Sequence, residues 1–222
     1  MNDVRAYTHP GPPGRGIRWL ALALCLVAGI STAAERDPND ARAMLELITG
    51  DMMTALRDPH ARGTTADLRA LVERHLLPHI DFEVSSTLVL GEHWQRASAV
   101  EREAFVSEFR SFLTRFYTQA LSGYLKARDV PGDIIAFDDE LRLNGDRQVL
   151  VSSRVRQPGG SEFPVAYELL WVDSWKVIDV KLGGISVVKN YHVSFSSTVA
   201  NAGIGVLIAQ LRSRNDTFYQ SL

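Results

Sequence analysis

The first half of the chain alternates apolar and polar residues with a helical period. The spacing predicts a helix over residues 40–56, and a second helix that Thr65 caps and Pro78 ends. A third predicted helix covers residues 81–94 and is interrupted at Gly91. The apolar side of the first helix consists of Met44, Leu47, Ile48, Met52 and Leu56.

The longest predicted helix begins at Ser98 and ends near Leu125. Ser98 and Glu101 have the spacing of a capping box, in which each side chain accepts a hydrogen bond from a backbone amide at the helix start. An aromatic stripe covers about 140° of the circumference, and polar residues occupy the other side. The stripe contains Phe105, Phe109, Phe112, Leu113, Phe116, Tyr117 and Tyr124, and Glu108, Ser111, Thr114, Arg115 and Thr118 lie opposite.

Beyond Pro131 the period shortens to two residues, which is typical of strands. Strands are predicted over residues 148–156, 163–171 and 175–180, and a final helix over 197–212. The short connections between the strands favour antiparallel pairing. Val149, Val151 and Val155 share one face of the first strand, and Val165, Tyr167 and Leu169 share one face of the second.

Helices followed by a run of strands predict an α+β fold. We expect several N-terminal helices and the long aromatic helix to pack on a small, curved, mainly antiparallel sheet, with a helix at the C-terminus. The large rings of the helix would then face short branched side chains. A sheet that curves away from such a helix leaves an apolar cavity.

The N-terminus has the pattern of a secretory signal. Arg15 and Arg18 precede an uncharged apolar run, 19–30, which is followed by the small residues of 31–33. Twelve helical residues extend about 18 Å, too short for a hydrocarbon core of about 30 Å. We therefore expect a signal peptide over residues 1–33 that is removed, and a single α+β domain over 34–222.

Charge and cysteine content reduce the number of ligands and partners to be considered. Cleavage would remove Cys25, the one cysteine, so that no disulfide or thiolate metal ligand is expected. It would also take three of the 24 basic and one of the 26 acidic residues, leaving a net charge of −4. Because no basic block remains, nucleic acid is not an expected partner.

The candidate catalytic and metal-binding patterns are weak. His75 and His79 have the spacing of two metal ligands, but Pro78 lies between them, so ordinary surface histidines are expected. The acidic triplet 138–140 is expected in a solvated loop before a strand. Ser194 does not lie in a Gly-x-Ser-x-Gly motif, the turn that presents the nucleophilic serine in many hydrolases. We expect no metal, no cofactor and no catalytic residues.

Several segments in order along the chain resemble the MlaC family, also known as toluene-tolerance auxiliary proteins. Trp175–Val180 and Gly184–Val187 resemble the last strand of that family and the segment after it. The closing helix of the family is similar to 190–195 and 205–211. The other matching segments are Leu76–Phe82, Leu88–Trp94, Glu101–Phe105, Phe109–Leu113, Tyr117, Gln119–Leu121 and Tyr124.

The resemblance implies a periplasmic phospholipid carrier. Members of the family shuttle lipid between an outer-membrane lipoprotein–porin complex and an inner-membrane ABC-type lipid transporter. They hold the acyl chains in an apolar pocket and have neither catalytic residues nor a metal. This would explain an export signal and an apolar interior without a convincing active site.

Periodicity assigns the walls of the expected lipid pocket. The lipid-binding residues are expected to be Leu88, Phe109, Leu113, Tyr117 and Leu121 from the helices, Val151, Val155, Tyr167 and Leu169 from the sheet, and Ile185 and Val188 at the rim. Two alternatives stay open. One is an enzyme on a cone-shaped α+β fold that uses Asp179 as its base, and the other is a periplasmic adaptor that binds only proteins.

Overall fold

Five antiparallel strands form one sheet, in which each strand pairs with the next along the chain. The computed structural model describes residues 36–127, 134–157 and 160–222. The expected signal peptide lies outside these residues. The strands are β1 (Ile135–Leu143), β2 (Gln148–Arg156), β3 (Glu162–Trp171), β4 (Trp175–Leu182) and β5 (Ile185–Ser186).

Seven α-helices accompany the sheet in the described part of the chain. They are α1 (Pro38–Arg57), α2 (Thr65–His75), α3 (Phe82–Leu90), α4 (Glu92–Arg96), α5 (Ala99–Ala127), α6 (Val187–Ala202) and α7 (Ile204–Gln220). Two short 3-10 turns, His60–Arg62 and Leu77–His79, flank α2. The expected α+β fold with an antiparallel, curved, open sheet is confirmed.

Helix starts follow from local side-chain caps. The amide of Glu101 donates to Ser98 Oγ over 3.3 Å and the amide of Ser98 donates to Glu101 Oε2 over 2.9 Å, which confirms the predicted capping box of α5. At α2 the cap is Thr64 and not Thr65. Asp67 lies three residues after Thr64 and returns its hydrogen bond, so the reciprocal pair decides the start.

Strand β1 replaces the loop expected for the acidic triplet. Asp138, Asp139 and Glu140 lie within β1, which is an edge strand paired only with β2. Asp138 forms an ion pair with Arg154 of β2. An edge strand tolerates such charges because its outer side faces water.

The C-terminal segment forms two helices where one was predicted over 197–212. Gly203 separates α6 from α7 and has a φ of +86°, which an L side chain rarely adopts. Helix α6 also begins earlier than expected, because Ser186 caps it by accepting from the amide of Lys189. The apolar spacing continues across Gly203, and for this reason it did not reveal the break.

Helix α5 is enclosed on several sides. Phe105, Phe109 and Phe112 stack along it, and Phe195 of α6 meets all three rings edge-on. Helices α2, α3 and α7 pack on its other sides, so that the polar side includes buried threonines. The hydroxyls of Thr114 and Thr118 donate to the carbonyls one turn earlier, which satisfies them without solvent.

Helix α1 begins on the sheet and ends on α2. Its first half, through Ala41 and Leu45, belongs to one core with Val149, Val151 and Leu169 of the sheet. Its second half, through Met52 and Leu56, packs with α2 in a separate core. The indole Nε1 of Trp175 donates to the carbonyl of Asp37 over 3.0 Å and holds the start of α1 against β4.

Candidate functional site

An apolar cavity of about 340 Å³ opens where α1 leaves the sheet. The sheet supplies one wall, from the inner face of β1 to β4. This wall consists of Ile135, Val155, Val165, Tyr167, Val177, Val180 and Leu182. Helices α1, α2 and α5 and the segment after α2 supply the other walls, with Leu45, Ile48, Thr49, Met52, Met53, Val72, Leu76, His79, Ile80, Tyr117, Ala120 and Leu121.

Strand register places the sheet wall. Val165 lies opposite Leu182, and Tyr167 lies opposite Val180, across β3 and β4. Directly opposed residues in antiparallel strands point to the same face, so these pairs form two adjacent rungs of the wall. A register irregularity beside Leu169 leaves an extra residue in β4, and it keeps both Val177 and Val180 on the inner face.

The polar groups of the cavity are neutral at physiological pH. Among the described lining residues, only Thr49, His79, Tyr117 and Tyr167 have polar side chains. Burial raises the pKa of both tyrosines, and for Tyr117 the nearby Tyr167 and Asp179 raise it further. Burial and the charge of Lys176 lower the pKa of His79. An uncharged apolar cavity of this kind suits hydrocarbon and offers no site for ionic chemistry.

The predicted site residues separate into four groups. Tyr117, Leu121, Val155 and Tyr167 line the cavity. Phe109, Leu113 and Val188 line a second void of about 20 Å³, which Tyr117 also borders. Val151 and Leu169 are fully buried in the core under the first half of α1, and Leu88 and Ile185 are 45% and 67% exposed at the surface.

The wall residues missed by sequence reasoning come mainly from α1 and β4. Ile48 and Met52 lie on the apolar side of the first predicted helix, but nothing in their spacing indicates that they face a cavity. Val177 and Val180 are three residues apart, and strict alternation would put them on opposite faces. The irregularity beside Leu169 puts them on the same face.

Asp179 uses both carboxylate oxygens within the fold. One oxygen accepts from the amides of Val180 and Val188, over 2.8 and 3.0 Å, and the other accepts from the hydroxyl of Ser186. The carboxylate therefore joins β4 to the start of α6. This geometry accounts for a buried carboxylate in β4 without a catalytic role.

His75 and His79 lie half-buried where the 3-10 turn follows α2, and His79 faces the cavity. Across residues 36–127, 134–157 and 160–222, no three His, Cys, Asp or Glu side chains gather as a metal site would require. Over the same residues, no helix combines the length and the apolarity needed to cross a membrane.

These features define an α+β protein built around an uncharged, apolar cavity. The family model of the MlaC protein matches residues 47–213, and the chain belongs to the MlaC family. The chain is 25% identical over 150 residues to the intermembrane phospholipid transport system binding protein MlaC of Haemophilus influenzae, covering 65% of this chain and 67% of that protein. It is also 25% identical to the toluene tolerance protein Ttg2D of Pseudomonas putida, over 82% of each chain.

A solved structure shares the fold. It is a phospholipid-binding protein from Ralstonia solanacearum in complex with a phospholipid. The two structures superpose with a TM-score of 0.69 at 25% sequence identity, covering 80% of this chain and 97% of the other.

Proposed function

We propose that this protein is a periplasmic carrier of phospholipid and catalyses no reaction. The observation that carries the proposal is the apolar cavity between α1, α5 and the sheet, in a chain that belongs to the MlaC family. The relative from Ralstonia solanacearum binds phospholipid on the same fold, and the relative from Haemophilus influenzae is an intermembrane phospholipid transport binding protein.

The physical need for a carrier follows from the hydrophobic effect. Each methylene exposed to water costs about 0.8 kcal/mol, so a sixteen-carbon chain costs roughly 12 kcal/mol. A cavity walled by valine, leucine, methionine and tyrosine side chains removes this cost without specific chemistry. The charged head group can remain in water at the mouth.

The carrier would act between two membranes. After removal of residues 1–33, the domain would take phospholipid between an outer-membrane lipoprotein–porin complex and an inner-membrane ABC-type transporter. Neither transfer requires a reactive group, and the carboxylate of Asp179 is already used within the fold. Membership of the MlaC family and the signal-like sequence of residues 1–33 support this role.

The proposal is tested by extracting the protein after purification without detergent. Phospholipid at near-stoichiometric amounts is expected by mass spectrometry of the organic extract. The variant Leu121→Arg should contain at least tenfold less lipid, since it places a charge among the cavity walls. A matched control is Val100→Arg on the same helix, where the side chain is 76% exposed.

Two results would contradict parts of this proposal. A folded wild-type protein that contains no phospholipid, and does not take it up from vesicles, would contradict the carrier function. That outcome would favour an adaptor that binds only proteins. Equal lipid content in Leu121→Arg and Val100→Arg would show that the lipid lies elsewhere.

A further inference from the structure

Tyr117 stands between the cavity and the second void. Its side chain borders both spaces, and Ile80, Val177 and Val180 adjoin both as well. Beyond Tyr117 the second void is lined by Phe109 and Leu113, which are 1% and 5% exposed. Ser85 and Asp179 also line it, and the polar side chains of both are hydrogen-bonded within the fold. The second void therefore lies next to the cavity, between α5 and β4.

The spacing of residues along α5 gives the order of the two spaces along the helix axis. Leu113, Tyr117 and Leu121 follow one another at intervals of four residues, so they lie on one face, about 6 Å apart along the axis. Leu113 borders the second void, Leu121 borders the cavity, and Tyr117 lies between them. Ala120, beside Leu121, is exposed and marks the side of the cavity nearer to solvent.

The ring of Tyr117 is held by packing. Its nearest aromatic neighbour is Phe116, with ring centroids 5.5 Å apart. The side chain is only partly buried by the protein and borders both spaces, so the size of its ring bears on whether they connect.

We propose that Tyr117 is the end wall of the acyl-chain site and sets the longest chain that the protein accepts. The inference rests on the proposed phospholipid-carrier function and adds a specificity determinant to it. A chain that enters from the solvent side of the cavity would end against the ring of Tyr117. Removing the ring would join the two spaces and allow additional methylenes to enter.

Transfer from a bilayer makes the effect measurable. A methylene that moves from the bilayer into the cavity changes the free energy little, because both surroundings are apolar. A methylene that cannot enter stays in water, which lowers the transfer constant about fourfold. Uptake should therefore be level up to a limiting chain length and then fall about fourfold for each further methylene.

The experiment uses vesicles of phosphatidylglycerol with saturated chains that lengthen by two methylenes at a time, from lauroyl to arachidoyl. Wild type, Tyr117→Ala and Tyr124→Ala are incubated with each set of vesicles, separated from them and analysed for bound lipid. Tyr124→Ala is the matched control, since Tyr124 is a tyrosine of the same helix that lines neither space. Tyr117→Phe retains the wall and should behave as wild type.

We expect Tyr117→Ala to move the limit to longer chains, with at least fourfold more uptake of the first chain that wild type excludes. Tyr124→Ala should leave the limit unchanged. If Tyr117→Ala does not fold, Tyr117→Leu tests the same wall with a smaller shift in the same direction. An unchanged limit in the folded variant, or an equal shift in Tyr124→Ala, would overturn the end-wall role.

The outcome separates this inference from the carrier function. Uptake of phospholipid with the same limit in all variants would contradict the end wall and leave the carrier function intact. Absence of uptake by wild type at every chain length would contradict the carrier function itself.

Discussion

The inner face of the sheet has two ends that are alike in sequence pattern and different in surroundings. At one end, Val149, Val151 and Leu169 are fully buried beneath the first half of α1. At the other end, Val155, Tyr167 and Leu182 face a cavity. Both ends alternate apolar and outward-facing residues along the same strands.

The path of α1 produces this difference. The Trp175 indole holds the helix start against β4, and small and medium side chains of the first half fill the space above the sheet. The second half packs on α2 and leaves the sheet wall uncovered. One sheet face thus combines a packed core with an open cavity, because α1 packs on the sheet core through its first half and on α2 through its second half.

The largest expected effect comes from placing a charge at each end. Leu169→Arg buries an unpaired cation in a packed core and should prevent folding, or destabilise it by more than about 3 kcal/mol. Val155→Arg lies on the cavity wall, where the guanidinium can extend toward the opening, and should fold without bound lipid. Urea denaturation and lipid content distinguish the two variants. Similar stabilities would contradict the difference in packing between the two ends of the sheet face.

Truncation of a leucine at each end of the sheet face measures the difference in packing directly. Leu169→Ala should cost about 3 kcal/mol, since the packed core cannot collapse around the space that is left. Leu182→Ala enlarges an existing cavity and should cost roughly 1 kcal/mol. Urea unfolding of lipid-free protein measures both losses. A loss at Leu182 as large as that at Leu169 would mean that the cavity end is also tightly packed.

The smallest expected effect is a pH dependence at the cavity end. Burial and Lys176 lower the pKa of His79 below its ordinary value of about 6.5, so the folded state binds its proton less tightly than the unfolded state does. The contribution of neutral His79 to the free energy of unfolding is therefore complete above its ordinary pKa. It is lost as the pH falls through the lowered pKa of the folded state. The variant His79→Gln should lose less stability in acid than wild type does. Thermal unfolding at a series of pH values, from above the ordinary pKa of histidine to below the lowered pKa of His79, measures this difference. An unchanged pH profile in the variant would assign the dependence to other groups.

Local chemistry was enough to predict much of the fold. The reciprocal pair of Ser98 and Glu101 marked the start of α5, and alternation placed Val165, Tyr167 and Leu169 on one face of β3. Both features depend on residues within a few positions of each other. The error at Gly203 has the same origin, because apolar spacing continues on both sides of the glycine and does not report its backbone angle.

Patterns and segments that are local to the chain are enough to predict the α+β class, the alternating sheet face and the family. Which apolar residues pack against each other and which face a cavity depends on how distant segments come together. Val151 and Val155 lie four residues apart on the same face of β2, and one is fully buried in a core while the other lines the cavity. The physical reason is that hydrophobic burial is non-directional, so periodicity assigns a residue to the interior, whereas the path of α1 decides whether protein fills the space above it.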